Sequence, residues 1–249
     1  MRNTIDLNCD VGEVNFERDA RLLALVSSCN VSCGAHAGDL PLITNTVREA
    51  VRLGVAIGAH PAYPDRKHFG RVSLAGDPDQ LAYELICQCD LLQGLVRSFG
   101  GTLQHFKPHG ALYHDLAQQP ELAETVLAAV TRAFPSLAVY GLATSDQAQI
   151  CQRLGVRFIP EAFGDRRYES VGRLVSRNQS NALIESEHEF GPHFNRLLRG
   201  EIIDIQHHLH HVCIDTICLH SDTPNAQRLA QAAHVLLKAA HVRLAPPIN

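Results

Sequence analysis

Six short segments gather the acids, imidazoles and amines that could move protons or hold a cation. They are Asn8, Asp10 and Glu13 in NCDVGE; His36 and Asp39 in SCGAHAGD; His60, Tyr63 and Asp65 in GAHPAYPD; Lys107, His109 and Tyr113 in KPHGALY; Glu161, Asp165 and Arg166 in EAFGDRRY; and His220 and Asp222 in LHSDTP. A single Asp or His beside a glycine is ordinarily a helix cap or a solvated group. The whole set is different, because crowding titratable groups costs desolvation and repulsion that folding alone does not require, and it marks a functional pocket. Two chemistries suit it. Imidazoles and carboxylates can hold a divalent cation that acidifies water, with Asp10, His36 and His60 as the ligands, or they can act as metal-free general acids and bases around a polarised carbonyl. No HExxH spacing decides between them. Lys107, with Pro108 and Gly110 close by, suits an oxyanion, a carboxylate or a phosphoryl group.

These residues follow runs with strand character: Thr4 to Cys9, Val55 to Ala59, Thr102 to Phe106, Leu137 to Leu142, Val156 to Pro160 and Val212 to Leu219. Helical periodicity fills the intervals over Leu42 to Leu53, Asp79 to Phe99, Pro120 to Phe134, Ser145 to Leu154 and Thr223 to Ala240, with Gly54, Gly100 and Gly155 as stops. The alternation predicts parallel βαβ units, whose loops after the strands converge on one face where active sites are built. Barrel closure would then bring the six segments together. The less periodic stretch from Arg166 to Gly200 reads as an excursion over the barrel mouth, and residues 1–249 as a single (β/α)-barrel-like domain.

Composition narrows the function. At 249 residues and 45% hydrophobic, the chain can bury a large core, and a formal charge of −4 leaves no basic footprint for nucleic acid. The polar amino terminus lacks a signal-peptide core and no run is long enough to span a membrane, so a cytoplasmic location is expected. The eight cysteines, without CxxC pairs, read as small buried hydrophobes, with Cys9, Cys33 and Cys218 beside polar motifs. The chain has no GxxxxGK[ST], no GxGxxG after a strand and no GxSxG, so neither an autonomous nucleotide site nor a serine-hydrolase elbow is supported. The histidines of QHHLHHV, His207, His208, His210 and His211, would align three imidazoles on a helix. They run straight into an apolar strand, so a structural role is expected.

The ordered segments DLNCDVGE, SCNVSCGAHAGD, GVAIGAHPAYPD, FGR, KPHGALYHD, EAFGDRRY with GRLVSR, and DTICLHSDTP resemble the LamB/YcsF family, the A subunits of prokaryotic 5-oxoprolinase, from Asp6 to about Leu244. The resemblance implies an irregular seven-stranded (β/α) barrel of the glycoside hydrolase/deacetylase type. It also implies ATP-dependent opening of the cyclic amide 5-oxoproline to glutamate with B and C subunits, ATP entering as co-substrate through those partners. A homodimer is a further expectation. By motif position it carries over Asp10, Lys107, His109, Glu161 and Asp165 as catalytic, with Lys107 steadying an oxyanion and a carboxylate or His109 as the base. Glu13, Asp39, Asp65, Arg166, His220 and Asp222 are carried over as substrate-binding. Where relatives read GFHAGD, HPGYPD, FADR and HGDTP, this chain has Ala35, Ala62, Gly164 and Ser221, changes in the pocket wall where specificity is set. Two other readings compete: a metal-dependent deacetylase or amidohydrolase acting alone, and a non-catalytic subunit that binds a small acid.

Overall fold

The computed structural model describes residues 3–223 and 225–247. Its elements run β1 (Thr4–Val11), α1 (Phe16–Leu23), β2 (Ser28–Ser32), α2 (Leu40–Leu53), β3 (Ala56–His60), α3 (Pro78–Ser98), β4 (Leu103–Phe106), α4 (Gly110–Gln118), α5 (Pro120–Ala133), β5 (Ala138–Leu142), α6 (Gln147–Leu154) and β6 (Phe158–Phe163). The excursion follows with β7 (Tyr168–Ser170), β8 (Arg173–Leu174), α7 (Glu187–Leu198), β9 (Glu201–Ile203) and β10 (Leu209–His211). The chain closes with β11 (Thr216–His220), α8 (Ala226–Ala239) and β12 (Arg243–Leu244).

The strands pair in parallel in the order β11-β6-β5-β4-β3-β2-β1, and β11 returns to β1 in the register Asp6↔Thr216 through Asp10↔His220. Seven parallel strands therefore close a barrel, as the motif resemblance implied. β12 adds a short parallel pairing outside β1. Burial on both strand faces explains the near-continuous apolar character of β3 and β5.

The barrel interior departs from the apolar layers that usually fill such a core. Side chains alternate along a strand, so Leu7, Cys9 and Val11 face the helices while Asp6, Asn8 and Asp10 face inward. They meet Ser28 and Asn30 of β2, His105 of β4, Tyr140 of β5, Glu161 of β6 and Thr216 of β11, all buried. The apolar core lies instead between the strands and the surrounding helices, where Leu85, Leu92, Val126, Leu127 and Leu229 are enclosed.

Helix boundaries follow local chemistry. Gly54 and Gly155 end α2 and α6 in the left-handed conformation at φ +69°, and Gly100, at φ +78°, follows α3. The long helices lie within a few residues of the sequence expectation; Pro224, inside the expected Thr223–Ala240 helix, lies outside the described residues. Unexpected are β2 and the helices α1, α4 and α7. The excursion forms the β7–β8 hairpin and α7, and its residues 173–178 border the barrel mouth. Within QHHLHHV, His207 has φ +65° and His210 and His211 enter the β9–β10 hairpin, so the run is a turn and a strand rather than a helix. Asp204 holds it: its carboxylate lies 2.9 Å from Nε2 of His210 and 3.3 Å from Nδ1 of His208. The cysteines follow the expectation except Cys33, which is half-buried, and Cys87 and Cys213, which are exposed. Burial pushes the Cys33 thiol up to about 12 and raises Cys9 and Cys218 well above the ordinary range, which makes inert thiols of the three beside polar motifs.

Candidate active site

Every barrel strand points its carboxyl end at one mouth, and the residues just beyond each strand decide the chemistry there. Asp10 stands near the end of β1, His60 ends β3, Lys107 follows β4 and His220 ends β11. Glu13 and His36 come from the turns after β1 and β2, and His109 precedes α4. The backbone after β4 stays tied to β3, with Lys107 N–H donating to Ala59 O and His109 N–H donating to Pro61 O, both at 2.9 Å. The loop carrying Phe69 and Gly70 roofs the histidines. Phe69 meets the rings of His36 and His109 edge-on at 5.5 Å. Gly70, at φ +64°, is required there, because a Cβ would sit 2.9 Å from Cβ of His36.

Lys107 is the hub of the floor. Its ammonium lies 3.0 Å from Oδ1 of Asp10, 2.9 Å from Oε1 of Glu161, 3.2 Å from Oδ1 of Asn8 and 3.1 Å from Sγ of Cys218. Burial disfavours this charge, but the carboxylates of Asp10 and Glu161 outweigh it and hold the lysine well above its ordinary pKa. Asp10 is also buried, yet His60 and Lys107 overcome desolvation and keep it ionised, well below the usual carboxylate range.

The imidazoles carry a second message. His60 Nδ1 lies 2.8 Å from the carbonyl of Lys107, and His109 Nε2 lies 2.9 Å from the carbonyl of Phe69. A carbonyl can only accept, so each of these nitrogens carries a proton, and in the neutral rings the lone pairs sit on His60 Nε2 and His109 Nδ1. Those two atoms face each other at 2.9 Å. Burial disfavours the charge on His60 but Asp10 outweighs it and raises the ring's pKa, so a proton on Nε2 can bridge the pair, and a divalent cation can take its place. Asp10 Oδ2 is 3.4 Å from His60 Nε2, and Glu13 Oε1 is 3.3 Å from His109 Nδ1 and 2.9 Å from His36 Nε2. Donors about 2.0–2.1 Å from a tetrahedral divalent ion stand roughly 3.3–3.4 Å apart, so the donor set and its spacing fit such an ion, with carbonyls fixing two rings from behind.

The residues that fit are not the set expected from the sequence. Asp10 and His60 group with His109, whereas His36 groups with Glu13 and His109, and no compact group among the described residues joins Asp10, His36 and His60. The reason is ring stacking: His36 lies flat on His109, with centroids 3.7 Å apart, and its Nε2 meets Glu13 instead. Burial holds His36 down at about 4 against the attraction of Glu13. Glu13 is pulled below the usual range by the neighbouring imidazoles of His109 and His36, which outweigh its burial.

Above this floor opens a cavity of about 350 Å³ bordered by Asp10, His60, Lys107, His109, Phe163 and His220, with Arg71, Arg166 and Arg177 on its wall. His220 is braced by Asp165, whose Oδ1 lies 2.9 Å from Nδ1 and whose Oδ2 accepts from the His220 backbone at 3.0 Å and from Thr223 Oγ1 at 2.6 Å. The other ring nitrogen, Nε2, lies 3.9 Å from Asp10 Oδ2. Asp165 is held below the carboxylate range by His220 against its own burial. It therefore orients His220 and does not itself border the cavity.

Other expected residues lie elsewhere. Asp39 is exposed and caps α2, accepting from Leu42 N–H at 2.9 Å. Asp65 accepts from the His68 backbone at 3.1 Å in the loop below Phe69. Both carboxylates are occupied by local backbone, as a lone Asp after a strand commonly is, and neither borders the cavity. Asp222 also stands behind the wall, bound to Arg71 and Arg177. Glu161 is sealed beneath Lys107, while His109 and Arg166, both buried, border the cavity. Sequence reasoning did not single out Arg71, His114 or Arg177, although Arg71 and Arg177 sit in FGR and GRLVSR, two of the motifs that carried the resemblance.

A closed parallel (β/α) barrel with an acid–imidazole–lysine cluster at the strand ends defines a barrel protein of enzyme type. The chain belongs to the LamB/YcsF family, whose model matches residues 5–249. It is 40% identical over 243 residues to a 5-oxoprolinase A subunit from Heliobacterium modesticaldum, with 96% of each chain covered. Its fold matches a lactam utilization protein from Thermus thermophilus at a TM-score of 0.88 and 33% identity, covering 97% of this chain and 99% of that one. A family 4 carbohydrate esterase from Streptomyces lividans shares the fold at a TM-score of 0.51 and 13% identity, over 97% and 91% of the two chains.

Proposed function

We propose that this chain is the A subunit of an ATP-dependent 5-oxoprolinase, a hydrolase that opens the 5-oxoproline lactam to L-glutamate together with B and C subunits. The observation that carries this reading is its 40% identity, across 96% of both chains, to a protein named as the A subunit of 5-oxoprolinase. The geometry supplies a chemistry consistent with it. A planar lactam amide resists attack by water, and transfer of the ATP γ-phosphoryl group to its oxygen would give a better electrophile. Without a nucleotide motif in this chain, ATP is assigned to the partner subunits.

Lys107, fixed as a cation between Asp10 and Glu161, steadies negative charge developing on the lactam oxygen. His220 is the general base: Asp165 fixes its Nδ1–H, leaving Nε2 to accept a proton from water at the cavity edge. His109 suits that role less well, because Nε2 is committed to Phe69 O and Nδ1 faces His60. Water adds to the carbon of the O-phosphorylated lactam, and the C–N bond breaks as the ring nitrogen takes up a proton and leaves as the amine of glutamate. The acyl phosphate that remains is hydrolysed by a second water to the side-chain carboxylate and inorganic phosphate. A divalent metal held by Asp10, His60 and His109 would supply Lewis acidity there.

The close approach of His60 Nε2 and His109 Nδ1 beside Asp10 also fits a second reading, a metal-dependent amidohydrolase that works alone. One experiment separates the two: glutamate formation from 5-oxoproline and ATP, by the purified chain and by the chain with B and C subunits. Partner- and ATP-dependent glutamate supports the oxoprolinase. Hydrolysis of a simple amide by the chain alone replaces it with the amidohydrolase, and tight binding with no rate change in Lys107 or His220 variants leaves only a small-acid-binding subunit.

A further inference from the structure

The floor of the cavity is accounted for by the chemistry above; its wall is not. Arg166 is buried to 5% exposure, and its Nη2 donates to Val175 O at 2.7 Å. Its Nε, equally buried, has no hydrogen-bond partner. Arg177 lies beside it on the same wall and binds Asp222 through Nη1 at 3.1 and 3.2 Å. Arg71 also rests on Asp222, through Nη2. One carboxylate therefore serves two guanidinium groups, and a third is enclosed without a carboxylate of its own. Asp165, next in sequence to Arg166, is taken up by His220 and Thr223.

The local field reflects this imbalance. Burial and then the nearby charge of Arg177 bring Arg166 down to about 10. His114, on the same wall, is pushed to about 4 by burial and then by Arg166, His220, Arg177 and Arg173. Burying a guanidinium without a counter-charge is costly, and an anion binding across its planar fork would offset that cost.

We propose that Arg166, Arg177 and Arg71 form a carboxylate subsite on the cavity wall, that the ligands are small lactams bearing a carboxylate, and that Asp222 is a positioning residue that brings two of the arginines to the wall. This deepens the oxoprolinase reading and rests on it for the lactam half of the ligand. It places recognition of the carboxylate on the wall and of the ring carbonyl on the floor, so removing the carboxylate costs binding without touching the reacting end.

The test is calorimetric titration of the purified chain with 5-oxoproline, with 2-pyrrolidinone, which is the same lactam without the carboxylate, and with inorganic phosphate. Wild type should bind 5-oxoproline at least about tenfold more tightly than 2-pyrrolidinone, as expected for a charge-assisted pair. Arg177→Gln, on a half-buried side chain, should remove most of that preference while 2-pyrrolidinone binding shifts by less than about twofold, and Asp222→Asn should remove part of it. Arg71→Gln is the companion variant if Arg177→Gln shows a lowered melting temperature. In the complex with B and C subunits, the same variants should raise KM for 5-oxoproline more than they lower kcat.

Equal affinity for the two lactams, equal weakening of both by Arg177→Gln, phosphate displacing 5-oxoproline, or no binding of either lactam would each overturn the subsite. Carboxylate-dependent binding without glutamate formation by a competent complex leaves the subsite standing and removes the oxoprolinase reading. Turnover that uses both lactams equally does the reverse.

Discussion

Asp6 and Asp10 occupy the same inward face of β1, both almost fully buried, and they are stabilised in opposite ways. At the closed end of the barrel, Asp6 is surrounded by hydroxyls: Ser27 and Thr216 at 2.5 Å, Ser28 at 2.7 Å and Tyr140 at 3.2 Å. At the open end, Asp10 is surrounded by the ammonium of Lys107, the amide of Asn30 and the imidazole of His60. Burial raises Asp6 above the ordinary carboxylate value because hydroxyl dipoles do not compensate it, whereas full cationic charges carry Asp10 far below that value. A buried carboxylate is thus pushed toward its neutral form at one end and held toward its charged form at the other, and the neighbours on adjacent strands decide which.

The largest test of that contrast removes the cation. Lys107→Met leaves Asp10 and Glu161 as buried carboxylates without their shared partner, so chemical denaturation should show a loss of about 3–5 kcal/mol and the reconstituted complex should form no glutamate. Unchanged stability would mean that the carboxylates are already protonated, and the contrast with Asp6 would fail.

Next comes the imidazole at the cavity edge. His220→Gln should lower kcat of the complex by about 10²–10⁴-fold with little change in stability. Asp165→Asn should produce a smaller loss, since it disturbs the orientation of the ring and leaves the ring in place. Equal and slight effects of both would return the base role to another group. The histidines deeper in the cluster sharpen the picture through metal. Adding Zn²⁺ at about a hundred times its dissociation constant should stabilise wild type by about 2.7 kcal/mol in thermal melts, and His60→Gln should abolish the response. A response that survives in the variant would place the ion elsewhere.

How much of this was legible beforehand depends on which face of a strand carried the signal. The outward apolar residues of β1, β3, β4 and β5 were readable, and so were helix stops such as Gly54 and Gly155. β2 was not, because SCNVS turns Ser28, Asn30 and Ser32 into a polar barrel interior, and the resulting alternation resembles a loop. α1 escaped because FERDARLL buries only Asp19, Leu22 and Leu23. The site was legible as membership, less so as roles: Asp10, His60, Lys107 and His220 do border one cavity, but spacing along the chain cannot tell that His36 stacks behind His109 or that Asp39 and Asp65 are occupied by backbone. Those distinctions arise from ring orientation and local N–H donors, which closure of the barrel sets.

A pH experiment separates the two ends further. His36 is lowered from 6.5 to about 4, chiefly by burial, so the native state refuses a proton that the unfolded chain accepts. Its contribution to stability is therefore complete above about pH 6.5 and is lost as the pH falls toward about 4. In metal-free protein, about 3 kcal/mol of stability should disappear across that window, and His36→Gln should flatten the slope. An unchanged slope in the variant would assign the acid sensitivity to another group.

The smallest expected effect belongs to Asp6. Its folded pKa is raised, so the stability it confers is present below its unfolded value of 3.8 and is lost as pH rises through the higher folded value. Asp6→Asn fixes the neutral form at every pH with nearly the same shape. The amide oxygen can accept from Ser28, Thr216 and Tyr140, which now meet Oδ2. The amide nitrogen can donate to Ser27, whose hydroxyl is free to turn toward Leu7 O, 3.4 Å away. Stability at neutral pH should change by no more than about 1 kcal/mol, and the loss on raising the pH should shrink. The same exchange at Asp10 would put a neutral amide between Lys107 and His60, so Asp10→Asn should abolish both turnover and the Zn²⁺ response. A large destabilisation by Asp6→Asn would show that Asp6 is ionised after all, and that the two ends of the barrel differ in access to the cavity rather than in charge.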